Sequence, residues 1–204
     1  MQVFVPYPNY TQSAQAIDNS RLNKQILEAS QLLDIIFDVP TKSGKPRTGW
    51  LSHPALIAWQ DNPGALIEYT WACIKEAESR GYKVDTYVNK LNSYPKCDST
   101  PPKWFGDDCV HSSHRARLLQ KGWEQMLNAE LNQTKVFTAL KVIEWYKTFD
   151  WAEMSDENLM SREYKWPVMQ SSDVYILKES VSKDALKKKE QLIKEYGANP
   201  YITL

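Results

Sequence analysis

Apolar residues recur at spacings of three and four at Leu22, Ile26, Ala29, Leu33 and Ile36, the stripe of an amphipathic helix predicted over 13–37. Ahead of it "MQVFVPYPNY" reads as a short extended segment checked by Pro6 and Pro8. Behind it "DVPTKSGKPRTG" holds two prolines and two glycines, which predicts a mobile loop. "HPALIAWQ" starts a second helical region, with Pro54 at a favourable first-turn position. A third helix over 64–79 turns Leu66, Ile67, Trp71, Ile74 and Ala77 inward, and Gly81 is its expected C-terminal stop. The stretch 84–106 is rich in turn formers and is expected to be loop. "HSSHRARLLQK" looks like a helix start with Ser112 or Ser113 as N-cap, and helical patterns continue through "WEQMLNAEL" and "KVFTALKVIEWYKTF". An irregular aromatic segment follows, and then a charged helix in "LKESVSKDALKKKEQLIKEYG", closed by Gly197. No run of strict alternation supports a strand. The expected fold is therefore all-α: one compact helical domain over 1–170 and a C-terminal helical extension over 171–204.

Composition narrows the class. At 204 residues, 42% hydrophobic and 25% charged, the chain has the balance of an ordinary soluble domain with a real core. Its formal net charge is zero, so any contact with nucleic acid must come from local clustering of cations. Eight Trp and eleven Tyr stand against five Phe, a bias toward flat rings with a polar edge, suited to cores and to base stacking alike. Cys73, Cys97 and Cys109 form no C-x-x-C pair, which fits reduced thiols. With no secretion signal and no apolar run of membrane-spanning length, a soluble cytoplasmic monomer in a bacterial or phage-infected cell is expected.

The candidate chemistry lies on the polar side of the first helix, where Arg21, Lys24, Gln25, Glu28 and Gln31 fall. Arg21, Lys24 and Glu28 sit at i, i+3 and i+7, so they emerge together. Cations beside a carboxylate favour its charged form, which can steady a developing cation or act as a base. The plain alternative is a solvated face with a weak Lys24–Glu28 pair. Lys42, Lys45 and Arg47 gather in the following loop, and Trp50 and His53 come directly after it. His111, Ser113, His114, Arg115, Arg117 and Lys121 would donate to phosphate oxygens at a helix N-terminus. Cys109, His111 and His114 spell C-x-H-x-x-H, but a structural zinc needs four ligands, so no metal and no cofactor are expected. Trp145, Tyr146, Tyr164 and Trp166, interleaved with Lys147 and Lys165, suit stacking on bases or packing in a core.

Four stretches, in order, resemble the phage endonuclease V family of pyrimidine-dimer DNA glycosylases and its looser bacterial relatives. They are "SAQAIDNSRLNKQILEASQLL", "GWLSHPALIAWQDNPGALIEYTWACIKEAESRGY", "PPKWFGDDCVHSSHRARLLQK" and "WYKTF…REYKWP". The resemblance implies a helical domain that binds double-stranded DNA, extrudes a damaged pyrimidine and excises it, with possible strand cleavage to follow. It implies attack on the sugar C1′ by the chain's terminal amine, with a glutamate on the first helix stabilising the imine. Glu28 falls at that glutamate, and Arg21 at a site position usually held by histidine. The family exposes its amine beside a small second residue; here Gln2 follows Met1, so the amine is expected to be that of Met1, with Lys24 as substitute. Gln31 stands where the family has a second arginine. Lys42, Lys45, Arg47, Trp50, His53, His111, His114, Arg115, Arg117, Lys121, Lys147 and Trp166 form the expected DNA-binding set. Two other readings remain open: a non-catalytic DNA-binding or anti-defence module, and an enzyme acting on hypermodified phage bases.

Overall fold

A computed structural model of the chain describes residues 2–149, 151, 163–171, 174–179 and 183–196. Gly197 lies outside them. The described elements are α1 (Tyr10–Ala16), α2 (Asn19–Ile36), α3 (Pro54–Trp59), α4 (Pro63–Ser79), α5 (Asp85–Asn92), α6 (Asp108–Leu131), α7 (Val136–Lys147), β1 (Lys165–Met169), β2 (Tyr175–Glu179) and α8 (Lys183–Tyr196). They fall into two compact units, residues 1–107 with 166–178, and 108–165 with 179–204. The first unit runs without interruption up to the start of α6.

In the first unit the helix expected over 13–37 is two helices. Ile17 is extended and buried, and Asp18 accepts hydrogen bonds from the backbone N–H groups of Ser20 and Arg21. A buried aspartate that satisfies the first-turn donors restarts the helix, which periodicity alone cannot register. The stripe itself holds: Leu22, Ile26, Ala29 and Leu33 are buried, and Ile36 half-buried. Helix α4 ends as expected. Gly81 takes a φ of +82°, its N–H bonds Glu78 O, and the Tyr82 N–H reaches back to Ala77 O.

Two expectations of irregular structure change. Residues 85–92 form α5, whose Lys90 and the following Tyr94 reach Asp34 on α2. Strands β1 and β2 form a hairpin where none was expected. Trp166, Pro167 and Val168 are buried in it, a continuous run that shows no alternation. Tyr175 ties it to Asp107 through a 2.6 Å hydrogen bond.

In the second unit, Trp123, Met126, Leu127 and Ala129 of α6 pack with Ala139 and Ile143 of α7 and Leu192 of α8. The charged last helix is thus docked through Leu192 rather than solvated all round. Among the described residues no helix is long and apolar enough to cross a membrane.

Candidate functional site

The first residues run against α2 and are held there by side chains. Val3, Phe4 and Val5 are buried, so their backbone groups must find partners inside the protein. Gln25 supplies two: its Oε1 accepts the Phe4 N–H at 2.8 Å, and its Nε2 donates to Gln2 O at 3.2 Å. The Tyr69 hydroxyl donates to Phe4 O. One turn beyond Gln25, the Glu28 carboxylate accepts the Gln2 N–H at 2.7 Å. Glu28 therefore lies against the beginning of the chain while its side chain keeps 13% exposure. Gln25 is buried, so this part of the helix's polar side is an internal contact surface rather than a solvated face.

The expected cations separate. Lys24 Nζ stands 3.7 Å from Glu28 and is 70% exposed. Arg21, expected beside Glu28, is paired with buried Asp18 at 2.7 Å, because the helix restart puts that carboxylate three residues before it. Met1, expected to carry the amine, lies outside the described residues.

His53 caps α3: its Nδ1 accepts the Ala55 N–H at 3.1 Å, which leaves Nε2 to carry the proton. Burial lowers its pKa below the ordinary histidine value; the positive amino terminus adds to this and Glu28 opposes it. Trp50 meets His53 edge-on, with ring centroids 4.8 Å apart, and His53 meets Trp166 edge-on at 5.4 Å. Trp50 is half-exposed, whereas Trp166 is buried. Expected as a DNA contact, Trp166 instead backs His53, because the hairpin carries it into the core.

The basic loop carries hydrogen bonds of its own. Thr41 and Lys45 pair through a 2.9 Å backbone bond, and the Thr41 hydroxyl bridges back to Lys45. Lys42 and Lys45 are exposed, as a phosphate contact requires. Arg47 is anchored instead, with Nε on Val39 O and Nη2 on Asp34, both at 2.9 Å.

Within the second unit the segment 111–121 differs from its expectation. α6 begins at Asp108, so Ser112 and Ser113 lie inside the helix and their hydroxyls donate to Asp108 O and Val110 O. His111, His114 and Arg115, expected at an exposed helix start, are buried. His114 stacks on Tyr164 with ring centroids 4.5 Å apart, and Arg115 pairs with Asp108 at 3.0 Å. Arg117 is held by Glu124 at 2.7 Å and Gln120 at 3.1 Å. Lys121 is half-buried and Lys147 is exposed. Tyr146 and Tyr164 are core residues. Among the described residues no group of three or more His, Cys, Asp or Glu is placed to hold a metal ion.

What pattern reading missed was the positioning set, Gln25 and Tyr69. The available signal was an apolar first segment that needs backbone partners and a glutamine one turn before Glu28.

Residues 1–90 match the family model of the pyrimidine dimer DNA glycosylases. The match spans less than half of the 204 residues, and over that stretch the chain is similar to the pyrimidine dimer DNA glycosylases. The matched stretch contains the extended first segment, α1 to α4 and Glu28. No characterised protein and no solved structure matches the chain significantly.

Proposed function

We propose that this chain, whose first 90 residues carry the pyrimidine dimer DNA glycosylase pattern, releases a damaged or modified pyrimidine from duplex DNA with Glu28 and its terminal amine as the reacting pair. The supporting observation is the 2.7 Å hydrogen bond from the Gln2 N–H to Glu28, which sets the acid beside the start of the chain. A terminal amine has an ordinary pKa of about 8, so an appreciable fraction is neutral and nucleophilic near pH 7.

In this reading the amine lone pair forms a bond to C1′ as the C1′–base bond breaks. The base leaves with the electron pair and takes up a proton, and the nitrogen loses one. Opening of the C1′–O4′ bond gives an imine; loss of a C2′ proton then expels the 3′ phosphate and cleaves the strand. Glu28 would steady the positive charge near C1′ and accept the C2′ proton. Lys24, at 3.7 Å from Glu28, is the substitute nucleophile. His53, neutral with a proton on Nε2, can donate a hydrogen bond to the substrate. Trp50 offers a ring for an unstacked base, and Lys42, Lys45 and Lys147 are exposed cations for phosphate oxygens.

The test uses a duplex with one thymine dimer and borohydride reduction. The parent protein should form a covalent adduct that peptide mass spectrometry maps to the first residues. Glu28→Gln should keep duplex affinity while base release falls at least about 100-fold. Parental release by Glu28→Gln overturns the reading, and an adduct on Lys24 moves the nucleophile there.

A further inference from the structure

We infer that Gln25 is a positioning residue, which holds the backbone of residues 2 and 4 in register beside Glu28. This inference rests on the reading above.

The grip comes from one carboxamide. Its oxygen takes the Phe4 N–H and its nitrogen reaches Gln2 O, so a single planar group spans C=O of one residue and N–H two residues on. In an extended chain those two groups face the same edge, because the side-chain and backbone directions repeat every second residue. The Gln25 amide thus occupies the place that the N–H and C=O of one residue of a neighbouring strand would take. The remaining groups on this edge are also used: the Gln2 N–H goes to Glu28, and Phe4 O takes the Tyr69 hydroxyl. Both polar backbone groups of Gln2 are therefore held by two side chains one helical turn apart, Glu28 and Gln25.

Register follows from this. A slip of one residue would turn the Val3 groups toward Gln25 and carry the buried Val3 and Val5 side chains to the opposite face. A glutamine that merely filled a buried hole would need neither this spacing nor its alignment with the catalytic acid. The segment has other anchors, the Tyr69 bond and the burial of Phe4 and Val5, which do not depend on Gln25. Loss of the carboxamide should loosen the first two residues and leave the fold standing.

The experiment uses the full chain and a duplex with a single abasic site, so that base recognition plays no part. Gln25→Met removes both hydrogen bonds at similar length; Gln25→Glu keeps the acceptor for Phe4 N–H and loses the donor to Gln2 O. Gln25→Met should cut the single-turnover rate of strand cleavage about 100-fold, with duplex affinity within about twofold of the parent. Borohydride trapping should fall in step, and Gln25→Glu should lie between. A Gln25→Met protein that melts lower but cleaves at the parental rate overturns the inference. If Gln25→Met does not fold, Gln25→Glu decides: parental cleavage overturns the inference, and slowed cleavage at unchanged affinity supports it. Glu28→Gln run beside them separates the two claims. If it is inactive and the Gln25 variants are not, only the positioning role fails; if it cleaves normally, the catalytic reading fails and this inference with it.

Discussion

Arg47 on the basic loop and Asp34 on α2 form an ion pair at 2.9 Å, and Lys90 reaches the same carboxylate oxygen at 2.8 Å. Asp34 is buried, so these cations, with the Tyr94 hydroxyl at 2.8 Å, offset the cost of taking its charge out of water. Arg47 is thereby an anchor, and Lys42 and Lys45 are the loop's exposed cations. Arg47→Met should lower stability by about 1–3 kcal/mol in urea unfolding. It should leave the salt dependence of duplex binding near that of the parent. Lys42→Gln with Lys45→Gln should instead leave stability alone and reduce the slope of log affinity against log salt by about 2. If Arg47→Met reduces that slope without changing the unfolding midpoint, Arg47 is a phosphate contact after all.

Gly64 opens α4 under a crossing loop. A Cβ built on it would collide with Asp98 O and lie 3.1 Å from Cys97 O, backbone atoms that cannot rotate away. Gly64→Ala should therefore destabilise the chain by about 1–3 kcal/mol, as overpacking does, although alanine is the better helix former. Differential scanning calorimetry reads the outcome; an unchanged or raised midpoint would show that the 97–98 backbone gives way freely.

The same contrast explains what the amino-acid pattern reveals. Helices α2 and α4 were legible because their stripes, Leu22 to Leu33 and Leu66 to Ala77, depend on local periodicity. The break at Ile17 was not, since it follows from Asp18 finding donors that any helix start would offer. Asp34 was invisible as a hub because its partners come from positions 47, 90 and 94, distant in sequence. Glu28 could be singled out on its helix face, but its contact with Gln2 is 26 residues long-range and needed coordinates. The burial within 111–121 was hidden for a related reason. Composition shows that His111, His114 and Arg115 are polar; only packing shows that they are inside.

Burial pushes the His114 pKa down to about 3, with the neighbouring His111 adding to the effect. The folded protein keeps this imidazole neutral, while the unfolded chain takes up a proton near pH 6.5. The unfolded state therefore binds more protons below pH 6.5, and stability falls as pH drops from there toward 3. One such group changes stability by at most about 1.4 kcal/mol per pH unit in this window, and by nothing above it. His114→Phe keeps a ring against Tyr164 and cannot titrate. Urea midpoints taken from pH 7 to pH 4 should slope less steeply for His114→Phe than for the parent. Parallel slopes would mean that other groups control acid unfolding.

Trp50 combines three properties that rarely coincide without a use. Its φ is +70°, the left-handed region that costs a non-glycine residue of order 1 kcal/mol. The residue is 52% exposed. It is also braced, edge-on against His53, which is itself braced by buried Trp166. A residue retained for packing would be expected to relax its backbone or bury its ring; Trp50 does neither. Trp50→Gly should therefore hold or raise thermal stability, since it removes the backbone strain at little loss of buried area. Affinity for a duplex with a damaged or unpaired pyrimidine should weaken by about 1–3 kcal/mol, the usual worth of stacking one base on an aromatic ring. Intact duplex, bound through phosphates, should be affected much less. Lower stability with unchanged affinity for the damaged duplex would make Trp50 a packing residue and remove it from the proposed nucleotide contact.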